Sequence, residues 1–334
     1  MTLQEEVEAL AQPEGRVVGT PGHEQARRHL EARLRAIGLS PYRGHTFALP
    51  YRAAGHDFCN LIAVAPGSDP DLPPVLIGAH YDSVIAAPCA DDNAAAVAIA
   101  LSAGEHFHRH PARRGVVIAL FDAEEPGYFQ TPGMGSIRFY EDQRLKPGFH
   151  AALVMDLVGH AVPQPTAEVG RLAPQFGQLL FLTGAESHAA LPGVVGAARL
   201  PGLPVVATLN RRVGDMSDHR VFRLNGVPYL FLTCGRWQHY HEPTDTPDRL
   251  DYPKMERIRD YLVRLADALA QTDLPPEGPR PREHDTTAFE LSLLRDALGE
   301  AGTRYLAMAV GLARLETRTD LDALADRLQA YFDL

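Results

Sequence analysis

Lysine is nearly missing from this chain. It occurs only at Lys146 and Lys254, although Lys and Arg together number 32 in 334 residues. The basic residues are therefore almost all Arg, a bias of composition rather than of function. Cysteine is scarce as well: Cys59, Cys89 and Cys234 are too few and too scattered to build a disulfide framework. Acidic residues number 42, so the net charge is −10, which excludes a broad basic surface for nucleic acid or anionic lipid. No apolar run approaches the roughly 20 residues of a membrane span. The opening stretch MTLQEEVEALAQPEGR is acidic and amphipathic, without the basic start and apolar stretch of a secretory leader. These shortages point to a cytoplasmic protein with no nucleic-acid or membrane partner.

What is present reads as an ordinary globular chain, 45% hydrophobic and 22% charged. Its length is more than one core usually holds, so a large domain with an appendage is expected. PGHEQARRHLEARLRAI carries apolar residues at helical spacing, with Gly38 as a stop. HTFAL, NLIAVAPG and PPVLIGAHYDS read as strands with turn punctuation. NAAAVAIALSAGEHFHRH is an apolar helix, expected to be capped by Asp or Asn at its start. GVVIALFDAEE, FHAALVMDLVGH and VPYLFLTCG are further strands. GSIRFYEDQR, SDHRVFRLNG (from a Ser or Asp cap) and DYPKMERIRDYLVRLADALAQ are helices. Strands alternating with helices predict an α/β fold: one mixed, mostly parallel central sheet with helices on both faces. A domain over 1–274, a Pro-rich linker over 275–288 and a helical segment over 289–334 are expected. The last would hold two or three short helices separated near Gly302 and Thr319, packing on the main domain or on a second copy.

Polar residues gather where parallel strands place their ligand sites, at the carboxyl ends. His80 follows VLIGA, Glu124 and Glu125 follow VVIALFDA, and Asp156 ends AALVMD. Asp92 is counted with these strand-end candidates, and His241 lies in a late loop. Each alone has an ordinary reading: Asp92 can cap a helix, Asp156 can pair with an Arg, and a histidine at a strand end is commonly a surface group. Together they are costly, because buried acids require partners and this chain has almost no lysine to provide them. A divalent metal pair would neutralise the cluster.

These residues sit in motifs that resemble a family. GAHYDS (78–83), ADDNAAAVA (90–98), FDAEE (121–125), VMDLVG (154–159), SDHRVFRLNGVPYLF (217–231) and YHEPTDTPDRLDY (240–252) follow the order and approximate spacing of the two-zinc aminopeptidases. That family includes bacterial leucyl aminopeptidases, glutamate carboxypeptidases and animal glutaminyl cyclases. The resemblance spans roughly Arg16 to Gln271. It implies a zinc-exopeptidase-like fold and two zinc ions per subunit. Asp92 would bridge both, His80 and Asp156 would complete one site, and Glu125 and His241 the other. Asp82 would hold His80 through its second ring nitrogen. Glu124 is implied as the general base acting on a metal-bridging water, and Tyr240 as the donor that steadies the oxyanion. The Asp92–Asn93 bond would be cis. The implied activity is that of a metallo-aminopeptidase, a hydrolase that cuts the N-terminal bond of peptides with a free N-terminus.

Two departures keep alternatives in view. EEPGYFQTPGMGS carries an insertion after the Glu pair, and ADDNAAA ends in alanines where relatives often have Ser-Gly. Glutaminyl-peptide cyclotransferases use a single zinc with most of the same ligands, and other relatives keep the fold as a non-catalytic binding domain. The loops Tyr128–Met134 and Arg236–Tyr240 are expected to shape the substrate pocket, with Phe129 or Trp237 as a wall. His106 and His110, one helical turn apart, read as solvated surface at a helix end. Asp218 and His219 are expected to support the loop near the site, and Cys89 to be buried and inert.

Overall fold

The computed structural model describes residues 1–143, 148–164, 166–275, 277 and 283–332. Lys146 and positions 276 and 278–282 of the expected linker lie outside the described residues. The chain opens with a helix that its sequence signal did not separate, α1 (Leu3–Leu10), closed by a capping box between Thr2 and Glu5. α2 (Pro21–Ile37) starts at a Thr20 cap with Pro at its first position. It stops at Gly38, whose φ of 92° is the left-handed conformation that glycine adopts at least cost.

Glu6 joins these two helices. Its buried carboxylate meets His29 Nε2 at 2.8 Å and Arg33 Nε at 2.7 Å. Burial works against the charge, but His29 and Arg33 outweigh it and hold the Glu6 pKa below its ordinary value. A lowered folded pKa stabilises above the unfolded value, and that contribution is lost as pH falls through the folded one. Glu6→Gln is therefore expected to cost about 1–2 kcal/mol at neutral pH. In urea titrations the gap between variant and parent should close below roughly pH 4, near the unfolded glutamate pKa.

β1 (Ser40–Pro41), β2 (Ala48–Ala53), β3 (His56–Ala65) and β4 (Val75–His80) follow. A helical turn over Ala90–Ala94 leads into α3 (Ala95–Arg109). After it come β5 (Val116–Phe121), α4 (Gly135–Gln143), β6 (Ala151–Met155), α5 (Ala167–Leu172), β7 (Leu180–Thr183) and α6 (Leu191–Ala197). β8 (Val205–Ala207), α7 (Asn210–Val213), α8 (His219–Leu224), β9 (Tyr229–Thr233) and α9 (Tyr252–Gln271) complete the part that carries strands. α10 (Thr287–Ala309) and α11 (Arg318–Phe332) come last.

Among the described residues the strands form one nine-stranded mixed sheet in the order β1-β3-β5-β4-β6-β9-β7-β8, with β2 also on β3. The four central strands, β5, β4, β6 and β9, run parallel, so their carboxyl ends lie side by side. The flanks are antiparallel where β3 meets β5 and β7 meets β9. Period-2 alternation fills both faces. Val116, Ile118 and Leu120 of β5 join one apolar cluster with α3 and α9, while Val117, Ala119 and Phe121 join the other with Phe139 and Phe222.

Several expectations need correcting. No Asp or Asn caps α3: its N-cap is Ala94, with no side-chain hydrogen bond. The polar side chains just before it are engaged elsewhere, since Asn93 Nδ2 donates to the Met155 carbonyl at 3.1 Å and Asp92 faces two histidines. Asp218 precedes α8 without capping it by a side-chain bond. In the C-terminal segment the breaks fall at Gly299 (φ 68°), close to Gly302, and between Ala309 and Arg318, just before Thr319. Leu294, Leu298, Leu321 and Leu324 of these two helices belong to the same apolar cluster as the sheet. No helix among the described residues is long and apolar enough to cross a membrane.

Candidate metal centre

The parallel strands bring four segments to one place. His80 is the last residue of β4, Asp156 follows β6, Glu124 and Glu125 follow β5, and His241 lies in the loop after β9. Asp92 enters from the turn before α3. His80 Nε2 lies 3.3 Å from Asp92 Oδ1 and 3.6 Å from Asp156 Oδ1. His241 Nε2 lies 3.2 Å from Asp92 Oδ2 and 3.3 Å from Glu125 Oε2. Donors about 2.1 Å from a tetrahedral ion stand about 3.4 Å apart, the spacing seen here. His80, Asp92 and Asp156 form one donor group and Asp92, Glu125 and His241 a second, so Asp92 turns one oxygen to each.

The donor atoms fit a metal in a second respect. His80 Nε2, Asp156 Oδ1 and Glu125 Oε1 are buried without a hydrogen-bond partner. Orphaned buried polar atoms are rare in native proteins and mark a missing partner. Glu124 belongs to neither group. Its Oε2 lies 3.8 Å from His80 Nε2. Burial pushes the Glu124 carboxyl well above its ordinary range, partly opposed by His80 and reinforced by Asp156, Asp218 and Glu125. Burial lifts Glu125 to about 8. Burial would depress His241, but Asp92 and Glu125 outweigh it and raise the ring to about 9.

Backbone contacts hold this arrangement. Asp82 lies 3.3 Å from His80 Nδ1 and also accepts the N–H groups of Glu124 and Glu125 at 3.1 and 3.2 Å. One carboxylate thereby holds the backbone of both glutamates next to the His80 ring, whose Nδ1 makes no hydrogen bond. The Asp92–Asn93 peptide bond is cis. Of six non-glycine residues with positive φ among the described residues, Cys89, Ala123, Leu157 and His241 lie at or beside the donor segments. Positive φ at non-glycine residues persists where the surroundings over-determine it, which is characteristic of functional sites.

The relatives put a family name to this geometry. Residues 60–266 match the model of peptidase family M28. The chain belongs to the M28 family. It is 28% identical over 217 residues to the uncharacterized protein YfbL of Escherichia coli K12, covering 58% of this chain and 67% of that one. It spans only 23% of the longer rat endoplasmic reticulum metallopeptidase 1, at 25% identity over 65% of this chain. In fold it is similar to a Zn-dependent exopeptidase from Parabacteroides distasonis (TM-score 0.61, 17% identity, 79% of this chain and 96% of that one). It is also similar to the glutaminyl cyclase of Fimbriiglobus ruber (TM-score 0.57, 22% identity, 80% and 94%).

Other expected residues of this M28 chain fall as follows. Tyr240 lies beside the carboxylates, stacked on His241 at 3.7 Å, and burial raises its hydroxyl pKa. Asp218 is buried with both oxygens unpartnered, and burial lifts it to about 7. His219 is a core histidine: its Nε2 bonds Asn210 at 3.0 Å, its Nδ1 is buried without a hydrogen-bond partner, its ring stacks on Phe231, and burial lowers it to about 4. Cys89 is buried, and burial raises its thiol to about 12. The His106 and His110 rings pack against each other at a tilt, and neither belongs to a donor group. Trp237 does not wall the cavity beside the site; it stacks on His160 at 4.5 Å. Phe129 does not line that cavity either, whereas Phe181 and Phe231 do.

Sequence reasoning missed the residues that hold the Asp92 turn. Asp245 accepts the N–H groups of Asp91 and Asp92 at 2.9 and 3.1 Å. Asp91 in turn takes the Gly159 N–H and His160 Nδ1, both at 2.6 Å. Arg16, 1% exposed, donates to the carbonyls of Tyr81, Pro88, Cys89, Leu10 and Asp92 at 2.8–3.3 Å. Asp245 stands four residues after His241 in HEPTD, which is a usable signal. Nothing in the sequence marks Arg16, because its partners are backbone atoms.

Proposed function

We propose that this chain is a zinc-dependent aminopeptidase whose metal ligands are His80, Asp92, Glu125, Asp156 and His241. The observation that carries this reading is Asp92, which offers one oxygen to each of two complete donor groups. Mixed imidazole and carboxylate donors at this spacing suit zinc. Bound there, the ions supply Lewis acidity, polarising the substrate carbonyl and lowering the pKa of water. Glu124, left outside both groups, takes the proton of the attacking water on Oε2 and returns it to the leaving amine. Its raised pKa suits a group that must both accept and give up a proton. The Tyr240 hydroxyl donates to the carbonyl oxygen as charge develops on it. The free amine of a peptide N-terminus finds the neighbouring acids.

The runner-up is cyclisation of N-terminal glutamine on a single zinc, in line with the glutaminyl cyclase among the similar folds. A binding-only role is disfavoured by two intact donor groups. The deciding experiment compares hydrolysis of aminoacyl anilides with ammonia release from N-terminal glutamine peptides, using zinc-loaded protein. Anilide hydrolysis alone is expected. Ammonia release without anilide hydrolysis would replace the reading by cyclisation. Failure of zinc to raise the melting temperature would remove the metalloenzyme reading altogether.

A further inference from the structure

An apolar well of about 140 Å³ opens beside the candidate metal centre. Asp156 and Tyr240 form the end next to the donors. Phe181 and Phe231, on β7 and β9, form its floor. The remaining side comes from Leu294 of α10 and Leu324 of α11. Both helices lie beyond residues 60–266, the stretch that matches the family.

That wall is fixed to the rest of the molecule. Arg212 of α7 reaches Asp322 at 2.5 Å and Asp326 at 2.9 Å on α11. Glu290, the acidic residue of α10 at the well, gives both oxygens to Arg318 at 2.7 and 2.8 Å. It therefore offers no free charge to an occupant. An apolar cavity of about 150 Å³ lined by aliphatic and aromatic side chains holds a benzene ring. The well is thus sized for one large apolar side chain. Thr183, Thr208, Thr233, Arg236 and Gln329 also line it, but most of the lining is apolar, so a glutamine carboxamide placed there would exchange water for few partners.

We propose that the α10–α11 pair is the specificity element of this chain: it closes a well that selects an N-terminal residue with a large apolar side chain, such as Leu, Met or Phe. The proposal rests on the aminopeptidase reading and adds to it the residue class and the part of the chain that selects it. One methylene in an apolar pocket is worth about 10–200-fold in specificity. The parent is therefore expected to prefer a leucine anilide over an alanine anilide by at least about 100-fold in kcat/KM.

Two variants test the wall in opposite directions. Ala325→Trp on α11 fills the well and should reduce the Leu-to-Ala ratio at least about tenfold. Leu324→Ala enlarges it and should shift preference from Leu towards naphthylalanine. Thermal melts check that each variant is folded. Unchanged ratios in folded variants would overturn the proposal.

A binding arm separates this proposal from the catalytic one. Leucine amide and alanine amide are titrated calorimetrically into Glu124→Gln protein, with and without Ala325→Trp. Tighter binding of leucine amide, abolished by Ala325→Trp, supports the well even if no anilide is cleaved, in which case only the aminopeptidase reading falls. Equal binding of the two amides overturns the well.

Discussion

Glu124→Gln is expected to lower kcat on the order of 10³-fold while both metals stay bound. Gln keeps the size and one oxygen of the side chain but cannot hold the transferred proton. Because Glu124 belongs to neither donor group, metal content by elemental analysis should not fall. Glu125→Ala is the informative contrast. It removes one of the three donors of the second group, so that metal should be lost. Should Glu124→Gln lose metal while Glu125→Ala keeps both ions and full activity, the two roles would have to be exchanged or abandoned.

Arg16→Met is expected to be the most damaging substitution away from the donors. Arg16 is buried, and its guanidinium satisfies five carbonyls from three stretches of chain. Met fills much of the same volume and donates nothing. The carbonyls of Pro88, Cys89 and Asp92 would be left without this donor beside the metal site, and each unsatisfied buried group costs about 1–3 kcal/mol. A loss of about 4 kcal/mol or more, read as a lower urea midpoint with unchanged slope, is expected. Zinc affinity should weaken as well, since the turn that carries Asp92 loses its anchor. Stability and zinc affinity both at parental levels would show that Arg16 is dispensable.

The side chains that converge at the candidate metal centre were conspicuous in the sequence because of where most of them stand. Apolar runs such as VVIALF and AALVM mark strands buried on both faces, and a charge at the end of such a run is conspicuous. Parallel pairing then places those ends together, so the site followed from the fold class. Short elements in polar surroundings were not legible. β7 and β8 have four and three residues and carry too little period to register. The expected cap on α3 failed for a different reason: Asp92 and Asn93 are good cap formers, yet their side chains serve the site and β6. Gly302 was a reasonable helix breaker from composition alone. Gly299 breaks the helix instead, and no local signal separates the two. Arg16 acts through backbone groups, which every sequence has in equal measure, whereas Asp245 stood within reach of a reading that went on four residues from His241.

The Arg16 contacts carry a consequence for how such a protein is bounded. A fragment cut to residues 60–266 would retain His80, Asp92, Glu124, Glu125, Asp156 and His241. It would lose the guanidinium under the Asp92 turn, the two N-terminal helices, and the leucines of α10 and α11. The stretch that similarity detects and the body that stands by itself are thus different objects. The candidate donors lie inside that stretch, whereas part of their mechanical support lies in the flanks.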